Sequence, residues 1–449
     1  MPSTVDIQDF ISSRKLSGFQ TTVLVLCFIV VAVDGFDTAA VGYVAPALVA
    51  QWKVTRPQLA PLFGAGLFGL MAGAFIFGPI ADKVGRKTVL IFATAAFAVA
   101  SILSATATSI ESLMIWRFVT GIGLGGAMPS AITLTSGYCR ARNRSLLVMI
   151  MFCGFTLGGA LGGLSAAVLI ADFGWQSVLI LGGILPLVLA VVLLFRLPES
   201  VRYLVLKGGN DAKVAGILHR IDPAAPLEGA HFVGVQRAAG PPVGQLFKPD
   251  LVTGTLLLWV TFFMSLLVFY LLTSWLPTLL NSAGQSMTSA SLIALMLPIG
   301  STIGAIVIGL LMDRHNPHVV LFCSYVLAAC FILMLGFSIS SVVLLVIAVF
   351  GAGIGTGGSQ IGINALSAAY YPTASRATGV SWANAVGRIG SVVGSMVGGQ
   401  LLSFGWGLGA VYSMAAVPAL AAAIAIFAKG RAETRKNLAV SFISTRSEA

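Results

Sequence analysis

The feature that most limits how this chain can fold is its succession of long apolar stretches. Twelve windows of roughly 20 residues follow one another, each enough to cross a hydrocarbon core of ~30 Å as a helix. They fall near residues 20–48, 58–80, 87–107, 110–136, 144–170, 175–195, 251–280, 288–312, 317–337, 340–368, 377–403 and 407–428, separated by short polar breaks. Of the 449 residues 57% are hydrophobic and only 9% charged, with a mean hydropathy of +0.96. A soluble domain carries about a quarter charged residues. The expectation is an all-α integral membrane protein with twelve transmembrane helices.

The basic residues set an orientation through the positive-inside rule. With the N-terminus inside, 22 of the 26 Lys and Arg fall on the cytoplasmic side, against Lys53 and Arg56 outside, and Arg117 and Arg388 lie within spans. The net charge of +11 is therefore a topology signal. No basic helix with interleaved aromatics suggests a nucleic-acid partner. MPSTVDIQDFISSRK lacks a basic n-region and a small-residue cleavage site, so the first span is expected to stay in the mature protein. The five cysteines follow no metal-ligand or disulfide spacing, and the H-x-x-H of His315 and His318 has no third ligand beyond Asp313. Both patterns read as packing or loop residues.

An internal repeat organises the rest. GIGLGGAMPSAITLTSGY (121–138) matches GIGTGGSQIGINALSAAY (353–370) at an offset of 232, which also carries Arg144 onto Arg376 and Gly162 onto Gly394. GPIADKVGRKTVLIF (78–92) matches GLLMDRHNPHVVLF (309–322) at an offset of 231, placing Asp82 over Asp313 and Lys83 over Arg314. The chain thus divides into an N-terminal tail (1–19), a six-helix bundle (20–196), a cytoplasmic linker (197–250), a second six-helix bundle (251–428) and a C-terminal tail (429–449). Two pseudo-symmetric halves of this kind are built like a carrier, with a site expected between them near the midplane. Gly121, Gly123 and Gly126 match G-x-G-x-x-G, as do Gly353, Gly355 and Gly358, but a dinucleotide fingerprint follows a strand and opens a soluble helix. Inside membrane spans such glycines let helix backbones approach closely.

Gly78-Pro-Ile-Ala-Asp82-Lys-Val-Gly85-Arg86-Lys87 resembles the loop signature G-x-x-x-D-x-x-G-R-K of the major facilitator superfamily. Pro198-Glu199-Ser200-Val201-Arg202-Tyr203-Leu204 resembles a stretch shared by several of its families. Finer resemblance lies in Asp34-Gly-Phe-Asp37-Thr-Ala-Ala, in the run from Arg117 to Pro129, and in Tyr371 to Trp382 leading to Gly387-Arg388. Together these are similar to the aromatic acid:proton symporters, whose better-known members carry 4-hydroxybenzoate and protocatechuate. The resemblance implies the major facilitator fold, uptake of a small aromatic carboxylate with a proton, the proton gradient as energy source without a cofactor, and a monomer in the inner membrane with both termini cytoplasmic.

Four charges lie within the predicted spans: Asp34, Asp37, Arg117 and Arg388. Each costs ~2.5–3.5 kcal/mol or more against lipid, so such residues face a cavity and mark a pathway. Their sum is zero. A substrate carboxylate brings it to minus one, and protonating one aspartate restores neutrality. Asp34 and Asp37, three residues apart, share a helix face and are expected to titrate as a coupled proton site whose proton holder stays open, with Gly35 between them loosening the helix. A guanidinium matches a carboxylate in two prongs. Arg388 is the first choice for the anion, because Asn384 one turn earlier offers a partner for a ring hydroxyl or a second oxygen. Arg117 is either a second anchor or the ion-pair partner of Asp37, and Gln360 and Trp382 are further substrate-binding candidates. Gly78, Asp82, Gly85 and Arg86, with Asp313 and Arg314 in the second half, are expected to form gating latches that hold in one conformation and release in another.

Competing readings are an efflux antiporter, another organic-anion or sugar carrier, and a membrane sensor without transport. Efflux carriers of this fold often resemble G-x-x-x-G-P-x-x-G-G in the fifth span, where this chain has Gly154-Phe-Thr-Leu-Gly158-Gly159-Ala-Leu-Gly162-Gly163. Two membrane arginines suit an anion better than a polyol. No nucleophile–base constellation suggests an enzyme.

Overall fold

The computed structural model describes residues 4–227, 229–234, 243–338, 341–372, 375–404, 406 and 408–447. Of the basic residues counted as inner-facing, Arg237 lies outside the described residues, as do the side chains of Lys436 and Arg446. The chain opens with strand β1 (Thr4–Asp6) and α1 (Ile7–Ser13), then runs through α2 (Gly18–Trp52), α3 (Arg56–Val84), α4 (Arg86–Ser104), α5 (Ile110–Tyr138), α6 (Arg144–Phe173) and α7 (Gln176–Arg196). The expected linker contains α8 (Val201–Lys207), α9 (Asp211–Ile221) and strand β2 (His231–Val233). Next come α10 (Val252–Ser282), α11 (Met287–Ala294), α12 (Met296–Arg314), α13 (Pro317–Phe337), α14 (Val342–Gly353), α15 (Ser359–Tyr370), α16 (Arg376–Ser403) and α17 (Leu408–Ser447). A π-helical turn over Ile354–Gly358 joins α14 to α15.

Eleven helices among the described residues are long and apolar enough to cross a membrane, α11 with α12 and α14 with α15 each counting as one. The remaining predicted span is α16, whose 28 residues suffice in length. Its glycines and serines, with Asn384 and Arg388, make it less apolar than the other spans. That composition suits a helix that presents polar groups inward rather than one that meets lipid.

Contacts divide the chain into two units, Met1–Val54 with Ala65–Arg237, and Thr55–Gly64 with Ala238–Ala449. In the first, α2 begins at a capping box, with Ser17 Oγ accepting from Gln20 N and the Gln20 side chain accepting from Ser17 N at 2.9 Å. Its axis is continuous through Gly35 and crosses α6 at close range. A Cβ on Gly35 would lie 1.9 Å from Phe155 O, and one on Gly158 1.8 Å from Ala32 O. Gly35 therefore permits backbone contact; the expected loosening of the helix is replaced by tight packing. The N-terminal segment is tied to the region after α7: β1 pairs in parallel with β2, and Arg14 Nε meets Asp222 Oδ2 at 2.6 Å.

The second unit repeats these crossings. A Cβ on Gly390 would lie 2.2 Å from Phe263 O and one on Gly394 2.1 Å from Leu267 O, where α16 crosses α10. These are the counterparts of Gly158 and Gly162 against Ala32 and Phe36, so the offset of 231 holds for α2 and α10 as well. Gly121 meets Gly66 as Gly353 meets Leu297, Gly123 meets Phe97 as Gly355 meets Ala328, and Gly126 meets Phe77 as Gly358 meets Ile308. Every glycine of the apparent dinucleotide fingerprint is thus a helix crossing.

Candidate transport site

In the first unit α2 supplies Asp34 and Asp37, both buried. Arg117 on α5 approaches Asp37 with Nη1 at 3.1 Å from each carboxylate oxygen. The two side chains are 2% and 3% exposed. Ser101 Oγ on α4 lies 2.9 Å from Asp37 Oδ1 and 3.1 Å from Leu179 O. The rest of the guanidinium is satisfied too: Nε and Nη2 donate to Ser104 Oγ at 3.2 and 3.1 Å, and Nη2 to Thr120 Oγ1 at 2.9 Å. Of the two roles left open for Arg117, the geometry is that of the ion-pair partner. Asp34 Oδ1 accepts from Thr38 Oγ1, one turn onward, at 3.2 Å.

This cluster has no counterpart in the second unit. The positions that correspond to Asp37, Ser101, Ser104, Arg117 and Thr120 are Val268, Ile332, Leu335, Val349 and Ala352, all fully buried. The same helix crossings are therefore made once with hydrocarbon and once with a charge pair. A buried pair is a poor stabiliser compared with apolar residues of similar size, which argues that its presence serves something other than packing.

The second unit carries its polar groups elsewhere. Arg388 on α16 is half-buried, and its Nη1 donates to Tyr270 Oη on α10 at 3.2 Å. One turn earlier, Asn384 Nδ2 donates to Asn364 Oδ1 on α15 at 3.1 Å and to Val380 O at 3.0 Å. Asn364 Nδ2 donates to Gln360 O at 2.8 Å, and Gln360 Oε1 accepts from Ser265 Oγ at 2.7 Å. The π-helical turn immediately before α15 is a wider, strained form often found at functional positions. Trp382 is not gathered with these residues: it stacks on Trp259 with ring centroids 6.0 Å apart and 20° between planes. Six residues from Arg388, it falls on another face of α16.

The loop signature is built around a carboxylate that sequence reasoning did not single out. Glu199 Oε1 accepts from the backbone N–H of Arg86 and Lys87 at 2.9 and 3.0 Å, which caps the N-terminus of α4, and from Ser200 N at 2.8 Å. Gly85 has φ +108°, and a Cβ there would lie 2.2 Å from Glu199 Oε2. Asp82 pairs with Arg86 one turn on, while Gly78 has open space around it. In the second unit Asp313 and Arg314 stand exposed at the end of α12, and Asn316 Oδ1 accepts from His318 N at 2.9 Å to cap α13. His318 Nε2 lies 3.1 Å from Glu433 Oε2, beside buried Lys429. Among the described residues no group of three His, Cys, Asp or Glu is arranged to hold a metal ion.

Ser101, Ser104, Thr120 and Ser265 were missed because a small hydroxyl in an apolar helix can also satisfy itself on its own backbone, and Tyr325 because a tyrosine in an apolar span reads as packing. For Ser101, Ser104 and Thr120 the available signal was the repeat, since their counterparts in the other half are Ile332, Leu335 and Ala352.

With this geometry in place, comparison with known proteins is direct. The family model described as Major Facilitator Superfamily matches residues 27–297 and 258–443. The chain belongs to the major facilitator superfamily. It is 46% identical to the 4-hydroxybenzoate transporter PcaK of Pseudomonas aeruginosa, over 95% of this chain and 96% of that protein. It is 45% identical to the PcaK of Acinetobacter baylyi, over 95% and 94%, and 42% identical to the gallate transporter of Pseudomonas putida, over 97% of each. Among solved structures it resembles a crystal structure of a D-xylose-proton symporter at TM-score 0.71 and 17% identity, covering 91% of this chain and 98% of that one. At that identity the likeness concerns the fold. The protein is a multi-pass membrane transporter of this superfamily and not an enzyme.

Proposed function

We propose that the protein is a proton-coupled symporter that imports a small aromatic carboxylate, of the 4-hydroxybenzoate, protocatechuate or related benzoate type, by alternating access across the inner membrane. The observation that carries this reading is near full-length identity of 42–46% to 4-hydroxybenzoate and gallate transporters. Arg388, half-buried on α16, favours an anion as cargo. In this reading Arg388 receives the carboxylate, Asn384 and Gln360 receive the remaining oxygens, and the Asp34–Asp37 pair carries the proton. Arg117 sets the charge of that pair, and the loops at Gly78–Arg86 and Asp313–Arg314 act as latches.

Charge balance supports coupling. Arg117 and Asp37 neutralise one another, and a carboxylate arriving at Arg388 is matched by a proton arriving at the aspartates. The proton gradient then suffices as energy source, with no cofactor. A monomer with both termini cytoplasmic fits the distribution of basic residues. Uptake of labelled 4-hydroxybenzoate into proteoliposomes, with and without an inward pH gradient, tests the proposal. Gradient-dependent accumulation is the expected result. Accumulation that ignores the gradient rejects proton coupling, and absence of binding to every aromatic acid offered rejects the substrate class.

A further inference from the structure

The Gln360 amide is held in one orientation from behind. Tyr325 Oη donates to Ser265 Oγ at 2.8 Å, and Ser265 Oγ donates to Gln360 Oε1 at 2.7 Å. Tyr325 and Ser265 are both 0% exposed. Turning the amide over would put a donor, Nε2, where the Ser265 proton now finds its acceptor, and that buried proton would lose its partner on Gln360. The relay thereby favours the orientation in which Oε1 faces it and Nε2 points away. Gln360 is half-buried, and among the described residues its Nε2 makes no hydrogen bond.

The depth of this donor follows from the two neighbouring helices. α15 and α16 are consecutive spans and so run antiparallel across the membrane, and Asn364 and Asn384 meet between them. Gln360 lies one turn before Asn364, and Arg388 one turn after Asn384. Gln360 and Arg388 therefore stand at the same level on adjacent helices, with Ser265 and Tyr270 of α10 behind them. The relay is peculiar to this unit: its three positions correspond to Asp34, Thr94 and Met128 in the first.

We propose that Gln360 Nε2 donates to the ring hydroxyl oxygen of an aromatic acid whose carboxylate is held by Arg388, and that Ser265 and Tyr325 are positioning residues that set selectivity for hydroxylated rings. The proposal rests on the transport reading above. A site built to bond a hydroxyl discriminates against the analogue that lacks it, because a donor covered by the bound ring is then left without a partner. Benzoate and 4-hydroxybenzoate are the discriminating pair.

The test is uptake of both acids by the full-length protein in proteoliposomes, comparing wild type with Gln360→Leu, Tyr325→Phe and Ser265→Ala. Gln360→Leu is expected to raise KM for 4-hydroxybenzoate about tenfold, as loss of one good hydrogen bond does. KM for benzoate is expected to rise by a smaller factor, so that the ratio of the two KM values increases. Tyr325→Phe and Ser265→Ala are expected to move the ratio of the two KM values the same way by a smaller factor, since the amide can then turn. A parallel loss for both acids in all three variants indicates a structural role and overturns the proposal, as does an unchanged ratio in Gln360→Leu. Uptake of neither acid by wild type overturns the transport reading itself, a failure that is visible before any variant is compared.

Discussion

Arg117 holds both carboxylate oxygens of Asp37 through one nitrogen at 3.1 Å, and the corresponding residues of the other half are Val349 and Val268. One architecture thus exists with and without the ion pair inside a single chain. The fold can do without the charges provided both go together.

Removing one partner alone strands the other in a dry site. Arg117→Val and Asp37→Val are each expected to destabilise the protein by about 3–5 kcal/mol. The double variant, which restores the second unit's residues, is expected to recover most of that loss while failing to couple uptake to the pH gradient. Thermal unfolding in detergent beside proteoliposome uptake measures both, and a double variant as unstable as the singles contradicts the argument.

Asp34→Asn changes no charge partner of Arg117. It is expected to leave thermal stability within ~1 kcal/mol of wild type, as for a substitution that creates neither cavity nor stranded charge, and to abolish gradient-driven accumulation while substrate binding persists. Full coupled transport in both Asp34→Asn and Asp37→Asn would remove the aspartates from the proton pathway.

The α2–α6 crossing leaves no room for a side chain at Gly158. Gly158→Leu is expected to lower folded yield severely, because the added atoms would meet the Ala32 backbone rather than a movable side chain. Gly78→Ala, with nothing within 4 Å of its Cβ, is the control and is expected to match wild type in size-exclusion profile and melting temperature.

Glu199 caps α4 through the backbone N–H groups of Arg86 and Lys87, so Glu199→Ala is expected to cost about 0.5–2 kcal/mol. Glu199→Gln keeps a side-chain carbonyl in place and is expected to recover most of it. Gly85→Ala combines a left-handed φ with a clash against the same carboxylate, and its expected loss exceeds that of Glu199→Ala. Melting temperatures of the three variants check the order.

Asp222 lies outside the membrane spans, and the Arg14 side chain holds its carboxyl below the usual carboxylate range. A carboxyl lowered in the folded state contributes stability above its unfolded value and loses it as pH falls through the folded one. Asp222→Asn is therefore expected to leave the change in melting temperature between neutral pH and pH 4 nearly as in wild type and to flatten the further fall below about pH 4, where the wild-type carboxyl takes up its proton.

The division of the chain into repeated six-helix halves was legible because lipid leaves a helix-length apolar signature and because the glycines of the fourth and tenth spans recur at fixed offset. The identity of the charged residues was legible for the same reason: four formal charges stand out against hydrocarbon. Trp382 shows the limit. Its place in the chain near Arg388 suggested a shared site, whereas its angular position on α16 sends it to Trp259.

The sequence by itself determined that this is a helical membrane carrier with two related halves and two aspartates and two arginines inside its spans, since a charge that faces lipid is costly wherever it occurs. Only the tertiary structure decided which charges meet. Arg117 is 80 residues from Asp37 along the chain, and its partner depends on how α2, α4 and α5 cross. Likewise the orientation of the Gln360 amide is set by Ser265 and Tyr325 from two other helices. Hydrogen bonds act over about 3 Å, a distance that sequence separation does not encode and that the glycine-lined crossings fix.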